Sequence, residues 1–151
     1  MRRFALLSTI LAVALLGCSQ SDEPRQGVSA AWVRLAAVNG NPSAAYFTLR
    51  GGSVDDRLMQ VSSPLAIRTE MHDMAVAGGM MSMDAIKDGV AVPAGKTVSF
   101  APGGKHVMLF DVSPKVETGS KLPLTLIMAS GETIAVQADV IAAGADAPAA
   151  K

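Results

Sequence analysis

The chain has few of the residues on which many common functional sites depend. Its 151 residues include one cysteine, two histidines, one tryptophan and one tyrosine, and 13 basic residues balance 13 acidic ones. A single cysteine cannot form an intrachain disulfide and cannot build a thiolate-rich zinc site. The basic residues form no stripe along the chain, which argues against a nucleic-acid partner. The fold must therefore depend on its hydrophobic core alone.

The N-terminus has the pattern of an export signal. A short basic segment, Met1 to Arg3, precedes an apolar run from Phe4 to Leu16. That run is shorter than the ~20 apolar residues that span a bilayer, so residues 1–17 are predicted to be a secretory signal peptide. The run ends in Leu-Leu-Gly-Cys at residues 15–18, which resembles the bacterial lipobox. We therefore expect Cys18 to be lipidated and to become the first residue of the exported protein.

Export and lipidation define the remaining regions. Removing residues 1–17 leaves a net charge of −2, because Arg2 and Arg3 are lost and no acid is. Residues 18–27 are predicted to be a flexible tether, 28–142 the folded domain, and 143–151 a disordered tail. The protein is expected on the periplasmic side of the cell envelope, held to a membrane by its lipid anchor. In lipoproteins of Gram-negative cells, a serine such as Ser19 favours the outer membrane.

Residues 28–142 show the two-residue alternation of β-strands. Turn signals such as NGNP, GGSVDD and PGG separate short apolar-alternating segments about ten residues apart, and no long helical period occurs. This indicates an all-β domain, an antiparallel Greek-key β-sandwich of cupredoxin-like or immunoglobulin-like type. The predicted strands are 31–35, 45–49, 57–61, 67–72, 80–83, 90–92, 97–101, 106–111, 122–128 and 133–142.

Histidine and methionine are concentrated in one part of the domain. Both histidines and six of the nine methionines lie between residues 71 and 108. His106 and Met108 are two residues apart, so on a strand they share a face. A hairpin at Gly78-Gly79 would bring His72 near Met81 or Met83. Two simpler interpretations remain open: methionine as core filler in a chain with few aromatics, and His106 as an ordinary surface histidine.

Imidazole together with thioether favours copper(I), because thioether is a soft, neutral ligand. Zinc normally takes cysteine, or histidine with carboxylate. A blue-copper electron-transfer site requires a cysteine ligand, and residues 28–142 contain none. Ligand chemistry thus favours a cuprous site.

The pattern His72-x10-Met83-x22-His106-x-Met108 resembles the motif of the periplasmic copper chaperone PCu(A)C family, formerly a domain of unknown function. The segments AWVR, AYFTL, DDRL, EMH and PGGKHVM resemble the conserved flanks of that family. The resemblance covers nearly all of residues 28–142, with a second gap one residue longer than the usual form. It implies that the copper(I) ligands are His72, Met83, His106 and Met108.

The resemblance also implies a function without catalysis. Such a chaperone delivers copper toward the binuclear copper centre in the copper subunit of cytochrome c oxidase, often beside a thioredoxin-like assembly factor. A monomer is expected. No nucleophile elbow, paired-carboxylate motif or HExxH sequence indicates an enzyme. The alternatives are a non-catalytic β-sandwich binding lipoprotein and an envelope protein for copper storage or resistance.

The sequence also indicates roles for other methionines, for Trp32 and for the acidic residues near the ligands. Met74, two residues beyond His72, is a possible alternative metal ligand. Core positions are expected for Trp32, Met59, Met80, Met81 and Met128. Glu70, Asp73 and Asp84 flank the ligands and could orient an imidazole, although a solvated surface position is the simpler expectation for each.

Overall fold

A computed structural model describes residues 25–148. The predicted signal peptide, the lipidation site Cys18, most of the predicted tether and residues 149–151 lie outside the described residues. Within them, no helix has the length and hydropathy needed to cross a membrane. The ten strands are β1 (Gly27–Arg34), β2 (Ser43–Arg50), β3 (Asp56–Ser62), β4 (Ala66–Ala77), β5 (Met80–Ala85), β6 (Val90–Val92), β7 (Thr97–Phe100), β8 (His106–Val112), β9 (Lys121–Met128) and β10 (Thr133–Ile141).

The predicted all-β fold is confirmed, and each predicted segment overlaps one strand. One pair departs from the antiparallel expectation, because β1 runs parallel to β10 with Trp32 beside Asp139 and Arg34 beside Ile141. Alternation reports which side chains share a face and carries no information on strand direction. The parallel pair was therefore not visible in the sequence.

The strands follow one another in the order β5-β4-β8-β2-β1-β10-β9-β3-β6, and β7 pairs with β2. The sheet folds back on itself, so that β3 and β4 come into contact. There the Thr69 hydroxyl donates a hydrogen bond to the backbone carbonyl of Val61. The result is a sandwich around one core.

Alternation in β9 and β10 supplies much of that core. Leu122, Leu124 and Leu126 are fully buried, while the residues between them are only half-buried. Phe47 and Phe100 stack in the interior with ring centroids 4.4 Å apart. Burying each large apolar side chain contributes about 1.5–3 kcal/mol, which allows the domain to fold without a disulfide.

The hairpin between β4 and β5 extends beyond this core. Gly78 and Gly79 have φ values of 60° and 80°, as both central residues of a type I′ turn require. The turn matches the twist of the two strands and fixes their register, which places Met83 opposite Met74. β5 is the last strand in the sheet order, and all its residues are exposed.

Candidate metal centre

The two histidines lie directly opposite each other on neighbouring strands. β4 and β8 pair antiparallel with His72 beside His106. Directly opposed residues of an antiparallel pair point to the same face of the sheet. The imidazole centroids are 5.9 Å apart, and the ring planes are inclined by 24°. Residues 34 positions apart in sequence thus form one cross-strand pair.

His106 is held in one orientation. His106 is 8% exposed. Its Nδ1–H donates a hydrogen bond of 2.9 Å to the backbone carbonyl of Gly104. That bond fixes the tautomer and leaves the lone pair of Nε2 available. A histidine that binds a metal characteristically uses one ring nitrogen in this way and ligates with the other.

His72 uses its two ring nitrogens in the reverse way to His106, with Nε2 in the hydrogen bond. Its Nε2–H donates to Oε2 of Glu70 at 3.1 Å, and the other oxygen of Glu70 pairs with Arg68. Nδ1 of His72 is buried without a hydrogen-bond partner among the described residues. A buried polar atom without a partner costs about 1–3 kcal/mol, and a metal ion bound at Nδ1 would remove that cost.

The four proposed ligands and Met74 are arranged as follows. Met108 is opposite Glu70 on the β4–β8 ladder, on the same face as the histidines. Met83 is opposite Met74 on the β4–β5 ladder, one step diagonally from His72. Cross-strand diagonal neighbours are about 7–8 Å apart at the backbone, within reach of long side chains. We call the sheet surface that carries His72, Met74, Met83, His106 and Met108 the site face.

The opposite face of the same strands belongs to the core. Val107 and Leu109 are fully buried, and Met71 is 7% exposed. The alternation of His106 and Met108 with these core residues therefore orients the two candidate ligands away from the interior.

Three methionines were placed wrongly by sequence reasoning. Met59, Met80 and Met81 were expected in the core, but they are 44%, 75% and 66% exposed. β5 is the last strand of the sheet, and no layer formed by residues 25–148 covers either of its faces, so apolar residues such as Met80 and Met81 are exposed there. Met128 and Trp32 are buried as predicted, at 2% and 7% exposure.

Glu70 has a larger role than the sequence suggested. A solvated surface position was the simpler expectation, yet the carboxylate contacts His72 directly. The available signal was the two-residue spacing of Glu70 and His72, which puts both on one face of β4. Asp73 instead pairs with Lys105 at 2.7 Å, and Asp84 accepts a hydrogen bond from Ser82.

A row of rings that sequence reasoning missed leads across the sheet to the histidines. Trp32 and Tyr46 lie 4.3 Å apart, and Tyr46 is 6.4 Å from His106, between ring centroids. The Arg34 guanidinium lies 5.1 Å from the Trp32 ring centroid. Burial raises the pKa of Tyr46, and the nearby Arg34 charge opposes this. The row ends beside His106.

The stretch between Met83 and His106, one residue longer than in the usual motif, contains two further strands. The intervening chain forms β6 and β7, which pair with β3 and β2. The positions of the ligands relative to one another are set by the β5–β4–β8 ladders.

The donors on the site face are mostly uncharged. Within residues 25–148, no three histidine, cysteine, aspartate or glutamate side chains converge as a metal site would need. The candidate centre instead combines two imidazoles with thioethers. Such a set suits a soft monovalent cation and is poorly suited to a hard divalent one.

Two comparisons by sequence give matching descriptions. Residues 27–140 match the family described as "Putative lipoprotein LpqE-like". A protein of Leifsonia xyli subsp. xyli, also described as a putative lipoprotein, is 34% identical over 113 residues, which cover 75% of this chain and 68% of that protein.

Solved structures share the fold. The copper-bound PCuAC domain from PmoF2 superposes with a TM-score of 0.62 at 23% identity, covering 81% of this chain and 99% of that domain. The solution structure of copper(I)-bound DR1885 from Deinococcus radiodurans has a TM-score of 0.60 at 26% identity and covers 83% of each chain. The predicted cupredoxin-like class of the β-sandwich is thereby confirmed.

Proposed function

The chain belongs to the LpqE-like lipoprotein family, and from that premise we propose that it is a lipid-anchored copper(I) chaperone of the cell envelope. The observation that carries the proposal is the cross-strand pair of His72 and His106. Among residues 25–148, each imidazole has one nitrogen without a hydrogen-bond partner. The copper(I)-bound DR1885 of Deinococcus radiodurans, which is 26% identical, supports the same metal.

The proposed ligands are Nδ1 of His72, Nε2 of His106 and the thioethers of Met83 and Met108. The buried, unpartnered Nδ1 of His72 fits this role. Met108 is half-buried next to the histidine pair, whereas Met83 is 49% exposed. Met74, opposite Met83, remains an alternative thioether ligand.

Copper(I) is cargo in this proposal. Neutral ligands leave the positive charge of the ion uncompensated, so a recipient with anionic or softer ligands binds it more tightly. Met83 is the most exposed of the four ligands, and a recipient would displace it first. His106 is buried and held by Gly104, so we expect it to release the ion last. No step requires catalysis by the protein.

The proposed destination is the binuclear copper centre of cytochrome c oxidase, with a thioredoxin-like assembly factor as a second partner. The motif resemblance supports this destination. The protein is proposed to act as a monomer on the periplasmic side of the envelope, attached through lipidated Cys18, and in the outer membrane if the cell is Gram-negative. The lipoprotein descriptions of the family and of the Leifsonia relative support the anchor.

Metal binding is tested by titrating the full-length protein in detergent with copper(I) against a competing cuprous chelator. One tight equivalent is expected, and His106→Ala and Met108→Ala should each abolish it. Met80→Ala is the matched control, because Met80 is an exposed methionine whose position on β5 points away from the site face. Full affinity in both ligand variants would refute copper binding at this site.

Delivery is tested separately in cells that lack the protein. We expect reduced cytochrome c oxidase activity that added copper restores. Normal oxidase activity combined with copper sensitivity would instead indicate storage or resistance. The anchor is tested with Cys18→Ser, which should move the protein from the membrane fraction to the soluble fraction, and an unchanged distribution would contradict lipidation.

A further inference from the structure

We propose that Met74, Met81 and Met83 form a second, outer copper(I) position on the β4–β5 hairpin, through which the ion enters and leaves the histidine site. The inference rests on the proposed function, because it assigns the route of the same cargo. Its new element is Met81, which the motif of four ligands does not include.

The hairpin register places the three thioethers on one surface. Met83 is directly opposite Met74, and Met81 is opposite Val76, two residues farther toward the turn. Because β-strand side chains alternate between faces, Met81 and Met83 both belong to the site face. Residues two apart on a strand are separated by about 6–7 Å, and methionine has three rotatable bonds with which to close such gaps.

Exposure falls steadily from this surface to the histidines. Met81 is 66% exposed and Met83 49%, the side chain of His72 is 13% exposed, and His106 is 8% exposed. An ion that moves from Met81 to His106 leaves water-accessible thioethers and reaches buried imidazoles. Met83 belongs to both positions, so transfer between them needs no fully released ion.

Exposure alone does not make Met81 a ligand. Met80, its neighbour, is 75% exposed but lies opposite Ala77, and its position on the strand belongs to the other face. What distinguishes Met81 is its alignment with Met74 and Met83. Soft thioethers without a carboxylate among them select cuprous ion, and the flanking Val76 adds no competing donor. Met80 and Met81 therefore form a matched pair for an experiment.

The first experiment measures copper(I) binding in full-length protein whose inner site is disabled by His72→Ala and His106→Ala. We expect weak residual binding, lowered about tenfold by Met81→Ala and unchanged by Met80→Ala. Equal effects of the two methionine substitutions, or no residual binding at all, would overturn the outer position.

A second measurement uses the protein with its histidines intact, in case the double variant does not fold. Methyl-labelled methionine signals are followed by NMR during copper(I) addition under reducing, oxygen-free conditions. The first equivalent should shift Met83 and Met108, and further copper should shift Met74 and Met81 but not Met80. If Met81 does not respond beyond the first equivalent, or if Met80 responds equally, the outer position is wrong.

The two proposals fail in distinguishable ways. A tight first equivalent that depends on His106, together with an unresponsive Met81, removes only the outer position. The absence of any His106-dependent binding removes the proposed function itself. Loss of copper to the competing chelator should also slow severalfold in Met81→Ala compared with Met80→Ala, which tests the role of Met81 in the route.

Discussion

Met128 on β9 and Met83 on β5 show how differently one residue type is used in two regions of the molecule. Met128 is 2% exposed and belongs to the core with Leu122, Leu124 and Leu126. Met83 is 49% exposed on the last strand of the sheet. β9 is paired on both sides, by β10 and β3, and one of its faces lies against the interior.

The difference lies in the strands and not in the side chains. A thioether packed against leucines contributes buried apolar area and has no free approach for an ion. The same thioether on β5 buries little apolar area and is open to an approaching ion. Under the proposed ligand set, stability and metal binding occupy separate regions of this domain, and single substitutions should separate them.

The largest expected effect is on stability, from Met128→Ala. Removing a buried methionine costs about 2–5 kcal/mol, since apolar area is lost and a cavity remains. Urea denaturation measures this change. Copper(I) affinity, measured where the variant is folded, should be unchanged, and a parallel loss of affinity would show that the two regions are coupled.

The converse substitution is Met83→Ala. Its free energy of unfolding should change by no more than about 0.5 kcal/mol, as for other exposed positions. Copper(I) affinity should fall by about a hundredfold, or ~2.7 kcal/mol, because a proposed ligand is removed. Chelator competition and urea denaturation are measured on the same preparation. Stability that falls as much as in Met128→Ala would contradict the separation.

A smaller effect on affinity is expected from Glu70→Ala. The carboxylate accepts a hydrogen bond from Nε2 of His72 and so orients that ring. Losing such an orienting contact typically costs at least about tenfold in metal affinity, or ~1.4 kcal/mol. Glu70→Gln keeps an acceptor oxygen and should retain part of this. If both variants bind like the unmodified protein, Glu70 does not position His72.

The smallest effect concerns Asp56, at the start of β3 and far from the site face. Its carboxylate accepts hydrogen bonds from the Ser130 hydroxyl and from the backbone of Arg57. These contacts, that of Ser130 first, hold the pKa of Asp56 below its usual value of 3.8. A lowered carboxyl pKa stabilises the folded state above pH 3.8, and this contribution is lost as pH falls through the folded-state pKa.

We therefore expect Asp56→Asn to lower the urea midpoint slightly at neutral pH. The difference from the unmodified protein should shrink under acid conditions, and copper(I) affinity should be unchanged. A difference that stays constant with pH would mean that the hydrogen-bonded charge of Asp56 is not its source.

The sequence was most informative where a strand has one face in the core. Leu122 to Met128 alternate cleanly, so their buried face follows from the sequence, whereas His106 and its neighbour Val107 are both buried. The sequence was least informative on β5. Within the described residues neither face of this strand is covered, so Met80 and Met81 are exposed although their residue type suggested the core. Strand direction in the β1–β10 pair depends on the path of the whole chain and leaves no local trace.

The candidate site was predictable in its composition and less so in its geometry. Spacing placed His106 and Met108 on one face, but no local pattern specifies that His72 lies opposite His106, because register between distant strands is a tertiary property. The roles of the Gly104 carbonyl and of the unpartnered nitrogen of His72 likewise depend on side-chain orientation. The four ligands themselves remain a prediction until copper is titrated.

The parallel pairing of β1 with β10 joins the first and last strands of the domain. The sheet therefore cannot be completed until the final strand has been made, and, for an exported chain, has crossed the membrane. Contacts between such distant segments slow folding. Until then, β1 and β9 each lack a neighbour that the finished sheet provides, and exposed strand edges of this kind promote aggregation. If Cys18 is lipidated, the chain is already attached to the membrane while β1 and β9 still lack these neighbours.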